Sequence, residues 1–185
     1  ICETRADPVW VGTDGGLSRW ADGKFTQVTH REGLSHNDVN AIYEDDDETL
    51  WVGTKGGGLN RLRAGQWASY TSAQGLFSDE IYEIVEDDRG YLWMSCRRGI
   101  FRVNKQEFAA LDQGTIPALT STHFVRADGL ATVQCNGVAK PAGWKSPDGQ
   151  IWFPTIRGVV AVQPGIRINS QPPPVWIEEV RAGQH

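Results

Sequence analysis

Apolar and polar positions alternate with period two in short runs separated by glycine-bearing turns, which predicts strands and hairpins along most of the chain. Residues 39–44 and 81–86 read as equivalent strands, each followed by an acidic turn. The turn sequences Asp87-Asp88-Arg89-Gly90 and Pro147-Asp148-Gly149 suit tight hairpins that need positive φ. A second strand carries a tryptophan phrase, a third covers 59–63, and Ala21-Asp22-Gly23-Lys24 signals a hairpin into a fourth at 25–29. After Val103 the period changes. Asn104-Lys105-Gln106-Glu107 has the form of a capping box, Phe108 and Leu111 are three apart, and Gly114 follows, so a short helix is predicted near 104–113, ahead of an outer strand at 119–125.

The tryptophans set the period. Trp10, Trp51, Trp93 and Trp152 stand 41, 42 and 59 residues apart, in the phrases Val9-Trp10-Val11-Gly12-Thr13, Leu50-Trp51-Val52-Gly53-Thr54, Leu92-Trp93-Met94-Ser95-Cys96 and Ile151-Trp152-Phe153-Pro154-Thr155. A Gly-Leu marker precedes the last three (Gly33-Leu34, Gly75-Leu76, Gly129-Leu130). A period near 42 with this content implies an all-β fold of β-propeller blades: about four four-stranded antiparallel units, an incomplete propeller, with one short inserted helix. The units fall near 1–30, 37–71, 79–125 and 133–168. Residues 169–174 form a Pro-rich linker, and 175–185 alternate like the first strand of a following β domain, cut short. The chain opens in the middle of a first strand, so it is expected to be a piece of a longer protein.

Composition narrows the functional classes. Of 185 residues 39% are hydrophobic and 22% charged, with mean hydropathy −0.40, as in a soluble globular protein, and no apolar run approaches a membrane span. Net charge is −5 and Arg97-Arg98 is the densest basic cluster, which argues against nucleic acid as a partner. Eight Trp residues invite a stacking-platform reading, but seven fall in repeat columns and are expected in the core. Trp176 alone breaks the repeat. Cys2, Cys96 and Cys135 show no metal-ligand spacing. One pair is compatible with an oxidising compartment, three separate buried thiols being the plainer reading.

The residues Leu50-Trp51-Val52-Gly53-Thr54, Gly58-Leu59-Asn60-Arg61, Trp67, Tyr70, Gly75-Leu76, Ile81, Ile84, Glu86-Asp87 and Gly90 together resemble the repeat of two-component regulator propeller proteins. The last unit, with Asp128-Gly129-Leu130, Cys135-Asn136-Gly137 and Pro141-Ala142-Gly143-Trp144, is similar to that family's closing blade. The Pro-rich linker and the strand after it look like the way into its Tyr-rich immunoglobulin-like domain. The resemblance covers 1–168. It implies the periplasmic sensor region of a bacterial inner-membrane protein, with a histidine kinase or diguanylate cyclase output that this chain lacks. Implied partners are a small-molecule or oligosaccharide signal, the remainder of the same propeller and the immunoglobulin-like domain; a homodimer of the parent is compatible with it. Ser95-Cys96 and Phe153-Pro154 depart from the Gly-Thr and Val-Gly of the repeat phrase.

Enzyme signatures are missing from the sequence: His30, His36, His123 and His185 are scattered, and there is no His-Glu-x-x-His, Gly-x-Ser-x-Gly or Walker loop. The chain is therefore read as non-enzymatic, with no cofactor, no catalytic residue and no metal. Gly53-Thr54-Lys55-Gly56-Gly57-Gly58 has the look of a phosphate cradle, but its equivalent carries Asp14, so it is read as a turn. Asp45-Asp46-Asp47-Glu48 lacks the glycine and distal glutamate of a calcium loop and is read as a solvated turn. A ligand would sit at the mouth of the central channel, against Asn37, Asn40, Asp79, Tyr82, Gln134 and Asn136, whose amides, carboxylate and phenol suit a polyhydroxyl molecule. The plainer alternative is that these side chains cap strand ends. The alternatives to a sensor are a docking scaffold and a carbohydrate-active propeller enzyme such as a lyase.

Overall fold

The computed structural model describes residues 2–3, 8–124, 130, 132–138 and 140–165; the predicted linker and following strand lie outside them. Four antiparallel sheets succeed one another along the chain, each laid down strand beside strand in sequence order. The first contains β1 (Cys2–Glu3), β2 (Val9–Thr13), β3 (Gly16–Ala21) and β4 (Lys24–Val28). The second contains β5 (Val39–Glu44), β6 (Leu50–Thr54), β7 (Leu59–Arg63) and β8 (Gln66–Tyr70). The third contains β9 (Glu83–Glu86), β10 (Tyr91–Cys96), β11 (Gly99–Asn104) and β12 (Thr122–Phe124), with α1 (Lys105–Asp112) inserted before β12. The fourth contains β13 (Trp144–Lys145), β14 (Ile151–Thr155) and β15 (Gly158–Val162). This is the propeller-blade architecture that the 42-residue period predicts.

Turn chemistry fixes the register. Asp22 and Gly23 both take positive φ (51° and 73°), as do Ala64 and Gly65 (48° and 76°), so both outer hairpins close on two left-handed residues whose twist matches the flanking strands. The strand expected at 81–86 starts two residues late because Ile81 donates its N–H to Thr54 of the preceding sheet (3.0 Å). The outer strand is also shorter than predicted. Leu119 is buried and donates to the Gln74 carbonyl (2.7 Å), so pairing with β11 begins only at Thr122.

Each of the first three sheets buries its tryptophan against the next one. Trp10 packs with Leu50 and Val52 of the second sheet, Trp51 with Leu92, Met94 and Phe108 of the third, and Trp93 with Ile151 and Phe153 of the fourth. A tryptophan brings about 150–250 Å² to such a junction, or roughly 4–6 kcal/mol of gross transfer free energy. The expectation of seven core tryptophans is corrected at this point. Trp20 is 39%, Trp144 56% and Trp152 37% exposed, because they lie on the outward faces of the first and fourth sheets, where no described sheet covers them. Trp176 lies outside the described residues.

Two junction glycines are set by close approach. A Cβ on Gly53 would stand 2.6 Å from Ile81 Cγ2, and one on Gly12 2.6 Å from Val39 Cγ1. In the third sheet Ser95 replaces this glycine, and the aliphatic residue of the partner column is replaced by Cys135.

The helix docks the third sheet beneath the second. Phe108 is fully buried, its ring 4.9 Å from that of Trp51 and 4.8 Å from that of Tyr70. Asp112 accepts from the Tyr70 hydroxyl (3.0 Å) and pairs with Arg61 (2.7 Å). Asn104 caps the helix by accepting from Gln106 N (2.9 Å), but Glu107 does not complete the predicted capping box: its carboxylate accepts from Thr120 N (2.6 Å). The reciprocal box is found at Thr71–Gln74, where Gln74 Oε1 accepts from the Thr71 amide (2.9 Å) and hydroxyl (2.7 Å).

The acidic turn is not solvated at its first residue. Asp45 is 2% exposed, receives the Trp51 indole N–H (3.0 Å) and the amides of Asp47 (2.9 Å) and Thr49 (3.0 Å), and is met by Lys105 Nζ at 3.1 Å. The same ammonium reaches Asp47 (3.6 Å) and Glu86 (2.9 Å). Burial pushes the Asp45 carboxyl up, but Trp51, Thr49 and Lys105 outweigh it and hold it below the usual carboxylate range. Asp47 and Glu48 are exposed, as expected of a turn.

Candidate functional site

The inner strands carry their polar side chains toward two adjoining cavities. The first, of about 440 Å³, is lined by Asn40, Lys55, Glu80, Tyr82, Gln134, Cys135, Asn136, Gly137, Val138 and Ile156. It draws on the second, third and fourth sheets and their connecting segments. The second cavity, of about 570 Å³, is lined by Gly12, Val39, Asn40, Ala41, Ile42, Glu83, Lys140 and Pro141. Asn40 faces both.

Each group is held by its local fold. Asn40 is the extra residue where the β5 register shifts between Val39 and Ala41, a bulge that re-aims one side chain out of the ladder. Tyr82 is anchored by its N–H to the Ser95 carbonyl (2.8 Å), and its ring lies so close to Gly137 that a Cβ there would stand 2.5 Å from the ring carbon Cγ. Burial, with the Glu80 carboxylate beside it, pushes the Tyr82 phenol up to about 12, so it is a neutral hydroxyl at physiological pH. Asn136 donates its N–H to Pro154 O (2.9 Å), and its Oδ1 accepts from Val138 N (3.0 Å), an Asx turn that leaves the amide NH₂ for a ligand. The Gln134 carbonyl accepts from Ile156 N (3.2 Å).

Of the six predicted ligand residues, the structure therefore brings Asn40, Tyr82, Gln134 and Asn136 to one cavity. Asn37 and Asp79 are placed elsewhere. Asn37 Oδ1 accepts from His30 N (2.9 Å), and Asp79 accepts from the Ser72 amide (2.6 Å) and hydroxyl (2.9 Å). These are equivalent contacts 42 positions apart, and they clamp the turn before each Gly-Leu marker, the strand-capping role weighed against ligand binding.

Four charged residues were not singled out from sequence. Lys55 pairs with Asp38 at 3.7 Å and is bridged backbone to backbone with Glu80. It lies in the glycine-rich turn correctly read as a turn, and its one signal is a break in the repeat, Lys where the first unit has Asp14. In the second cavity Glu83 accepts from Ala142 N (2.7 Å), and burial raises its carboxyl above the ordinary value. Lys140 donates to the Tyr82 carbonyl (2.5 Å); burial lowers its ammonium, with Glu83 opposing. Their signal was tertiary, since 57 residues separate them in sequence. Among the described residues no group of three or more His, Cys, Asp or Glu side chains could hold a metal ion.

The family model described as "Two component regulator propeller" matches residues 33–56 and 75–98, each match starting at a Gly-Leu marker and running through the inner strand and tryptophan phrase. The chain carries two-component regulator propeller repeats. No curated protein matches it. Among solved structures, these repeats are similar to the extracellular domain of a putative hybrid two component system from B. thetaiotaomicron, with 22% identity and a TM-score of 0.74 over 92% of this chain and 22% of that one. A second such extracellular domain from B. thetaiotaomicron gives 26% identity and 0.67 over 85% and 22%. Virginiamycin B lyase from Staphylococcus aureus gives 15% and 0.55 over 90% and 55%, a likeness of fold. The propeller-repeat chain thus spans about a fifth of the length of the extracellular domains it resembles.

Proposed function

We propose that the chain is part of the extracytoplasmic, ligand-sensing region of a bacterial transmembrane signalling protein. It binds a small polyhydroxyl molecule or glycan and passes the event to a cytoplasmic kinase or cyclase output. The observation that carries this reading is the 440 Å³ cavity in which Asn40 of the second sheet meets Tyr82, Gln134 and Asn136 from the segments leading into the third and fourth. Amides and a neutral phenol donate and accept at once, as sugar hydroxyls require, and a site shared by several sheets changes their relative placement when it is filled. The propeller repeats and the likeness to extracellular domains of two-component systems support the location and the signalling role.

Further blades of the same protein are the partners proposed for the outward faces, which present Trp20 and Phe25 on one side and Trp144, Trp152 and Val159 on the other. The test is calorimetric titration of the whole extracytoplasmic region with an oligosaccharide panel. A glycan that binds the parent is expected to lose at least tenfold in affinity in the Asn136→Ala, Tyr82→Phe double variant. Unchanged affinity there would count against this cavity as the site.

A further inference from the structure

The turn that follows each tryptophan strand changes sign along the chain. In the first sheet it carries Asp14, in the second Lys55, in the third Arg97 and Arg98, and in the fourth Arg157. The first sheet lends no residue to the 440 Å³ cavity, whereas the second, third and fourth line it with their strands, turns or entry segments. The switch from acid to base thus coincides with the cavity. Lys55 is itself a lining residue, and its amide is fixed by the Asp38 carbonyl (2.9 Å). Arg157 follows the lining residue Ile156, whose amide is fixed by the Gln134 carbonyl (3.2 Å). Arg97 stands two residues past Ser95, whose carbonyl holds the amide of the lining residue Tyr82 (2.8 Å). All three backbones are tied to the cavity wall.

Packing does not account for these charges. Arg98 is engaged by the fold, its guanidinium lying 4.4 Å from the Phe77 ring centroid and donating to the Phe77 carbonyl (3.2 Å). Arg97 and Arg157 are exposed, and among the described residues neither side chain makes a hydrogen bond or ion pair. Lys55 meets Asp38 only at 3.7 Å with its side chain 60% exposed, a pair that contributes little to stability. Glu80 is the one carboxylate among the lining residues, and Asp79 is turned to the Ser72 amide and hydroxyl. The four cations outnumber these three acids, in a chain whose net charge is −5. At the opposite ends of the same sheets the hairpins are acidic, with Asp46-Asp47-Glu48, Asp87-Asp88 and Asp148. Positive charge is therefore gathered on the end where the cavity opens.

We propose that the ligand of this cavity is an anionic glycan, whose hydroxyls meet the amides and the phenol while its carboxylate or sulfate groups meet Lys55, Arg97 and Arg157. The proposal rests on the glycan-sensing reading and narrows it to one class of sugar. A guanidinium offers parallel N–H donors that match the oxygens of a carboxylate or a tetrahedral oxyanion, and an ammonium adds a point charge. Cations on exposed turns also draw an anion toward the opening and speed its association.

The test is calorimetric titration of the whole extracytoplasmic region with oligosaccharides in matched pairs that differ only in charge: uronates against their methyl esters, and sulfate esters against the parent sugars. An acidic member is expected to bind about tenfold or more tightly than its neutral twin, three modest ion pairs sufficing for that ratio. Its affinity falls as salt is raised, while that of the neutral twin stays level. Lys55→Gln, Arg97→Gln and Arg157→Gln are each expected to weaken the acid about two- to fivefold and to leave the neutral twin unchanged. Lys24→Gln makes the same charge change in an exposed hairpin at the other end of the first sheet and is expected to alter neither. Which matched pair responds tells carboxylate from sulfate. Neutral twins that bind as tightly as the acids overturn the charge requirement and leave the glycan reading standing, whereas absence of binding by every member overturns both. Acid binding that the three variants leave unchanged overturns its placement at these turns. Polyglutamate bound as tightly as the preferred acid overturns the sugar specificity and marks the rim as a general anion surface.

Discussion

The carboxylate of Asp87 accepts the indole N–H of Trp93 at 2.8 Å, and 42 residues earlier Asp45 does the same for Trp51 at 3.0 Å. Asp87 also takes the amides of Arg89 (2.9 Å) and Tyr91 (3.0 Å) through its other oxygen. One side chain therefore closes the hairpin and satisfies the buried tryptophan. Asp87→Ala strands three donors, and an expected loss of about 2–4 kcal/mol follows from hydrogen bonds to a charged acceptor left unmade. Asp87→Asn keeps an acceptor and is expected to cost less. In the fourth sheet Ser146 takes the role at 3.4 Å from the Trp152 indole, and Ser146→Ala is expected to cost about 1 kcal/mol or less. Urea unfolding of the three variants checks the order.

Gly53→Ser places a Cβ against Ile81 and is expected to destabilise by about 1–3 kcal/mol through overpacking. Adding Ile81→Cys reproduces the pair found at Ser95 and Cys135, and the double variant is expected to recover part of that loss. Additive losses in a double-mutant cycle would show that the two columns do not trade volume.

Glu83 and Asp45 have opposite pH signatures. The Asp45 pKa is depressed in the fold, so its stabilisation is present above the unfolded carboxylate value, about 3.9, and is lost as pH falls through the folded value. The Glu83 pKa is raised, so the fold gives up stability as pH rises from the unfolded value through the folded one. Glu83→Gln still accepts from Ala142 and is expected to be neutral or stabilising at pH 7 and to remove that decline. Denaturation midpoints from pH 4 to 8 test it.

Phe108→Ala opens a cavity between α1 and the second sheet and is expected to cost about 3–5 kcal/mol. Lys105→Met leaves Asp45 and Glu86 facing each other without their shared cation. Its loss is expected to shrink as the pH is lowered and the Asp45 carboxylate protonates, whereas the Phe108 loss stays flat. Thermal melts at two pH values separate the two.

Much of the fold was legible because the repeat prints the same turn chemistry several times over. The 39–44 and 59–63 strands match β5 and β7 residue for residue, and the Asp22-Gly23 hairpin falls where its residues require. Helix α1 was also expected, but not the direction taken by Glu107, since a glutamate at the third helical position reads as a capping box until Thr120 is known to pass beside it. Burial of the tryptophans was legible only where another sheet follows, because column membership says which face a residue uses and not what covers it. For the candidate site, column arithmetic picked out Asn40, Tyr82 and Asn136, which line the first cavity. It could not separate them from Asn37 and Asp79, whose partners lie seven residues upstream in a turn that alternation does not describe. Glu83 and Lys140 were invisible for the same reason that makes them interesting: what matters about each is the other.

The aspartate that satisfies each central indole belongs to the same sheet as the tryptophan, while the surface that covers the indole belongs to the following sheet. The second and third sheets thus each reach the following sheet with the polar requirement of the tryptophan already met and ask only for an oily surface of the right relief. Modules joined on those terms can be duplicated, deleted or exchanged in evolution without rewriting their partners. Where the Tyr43 hydroxyl donates to Glu86 (3.0 Å) and Lys105 reaches across to Asp45, two neighbours have acquired a private code. The boundary between the second and third sheets is therefore expected to be inherited as a unit, even in descendants that change the number of blades around it.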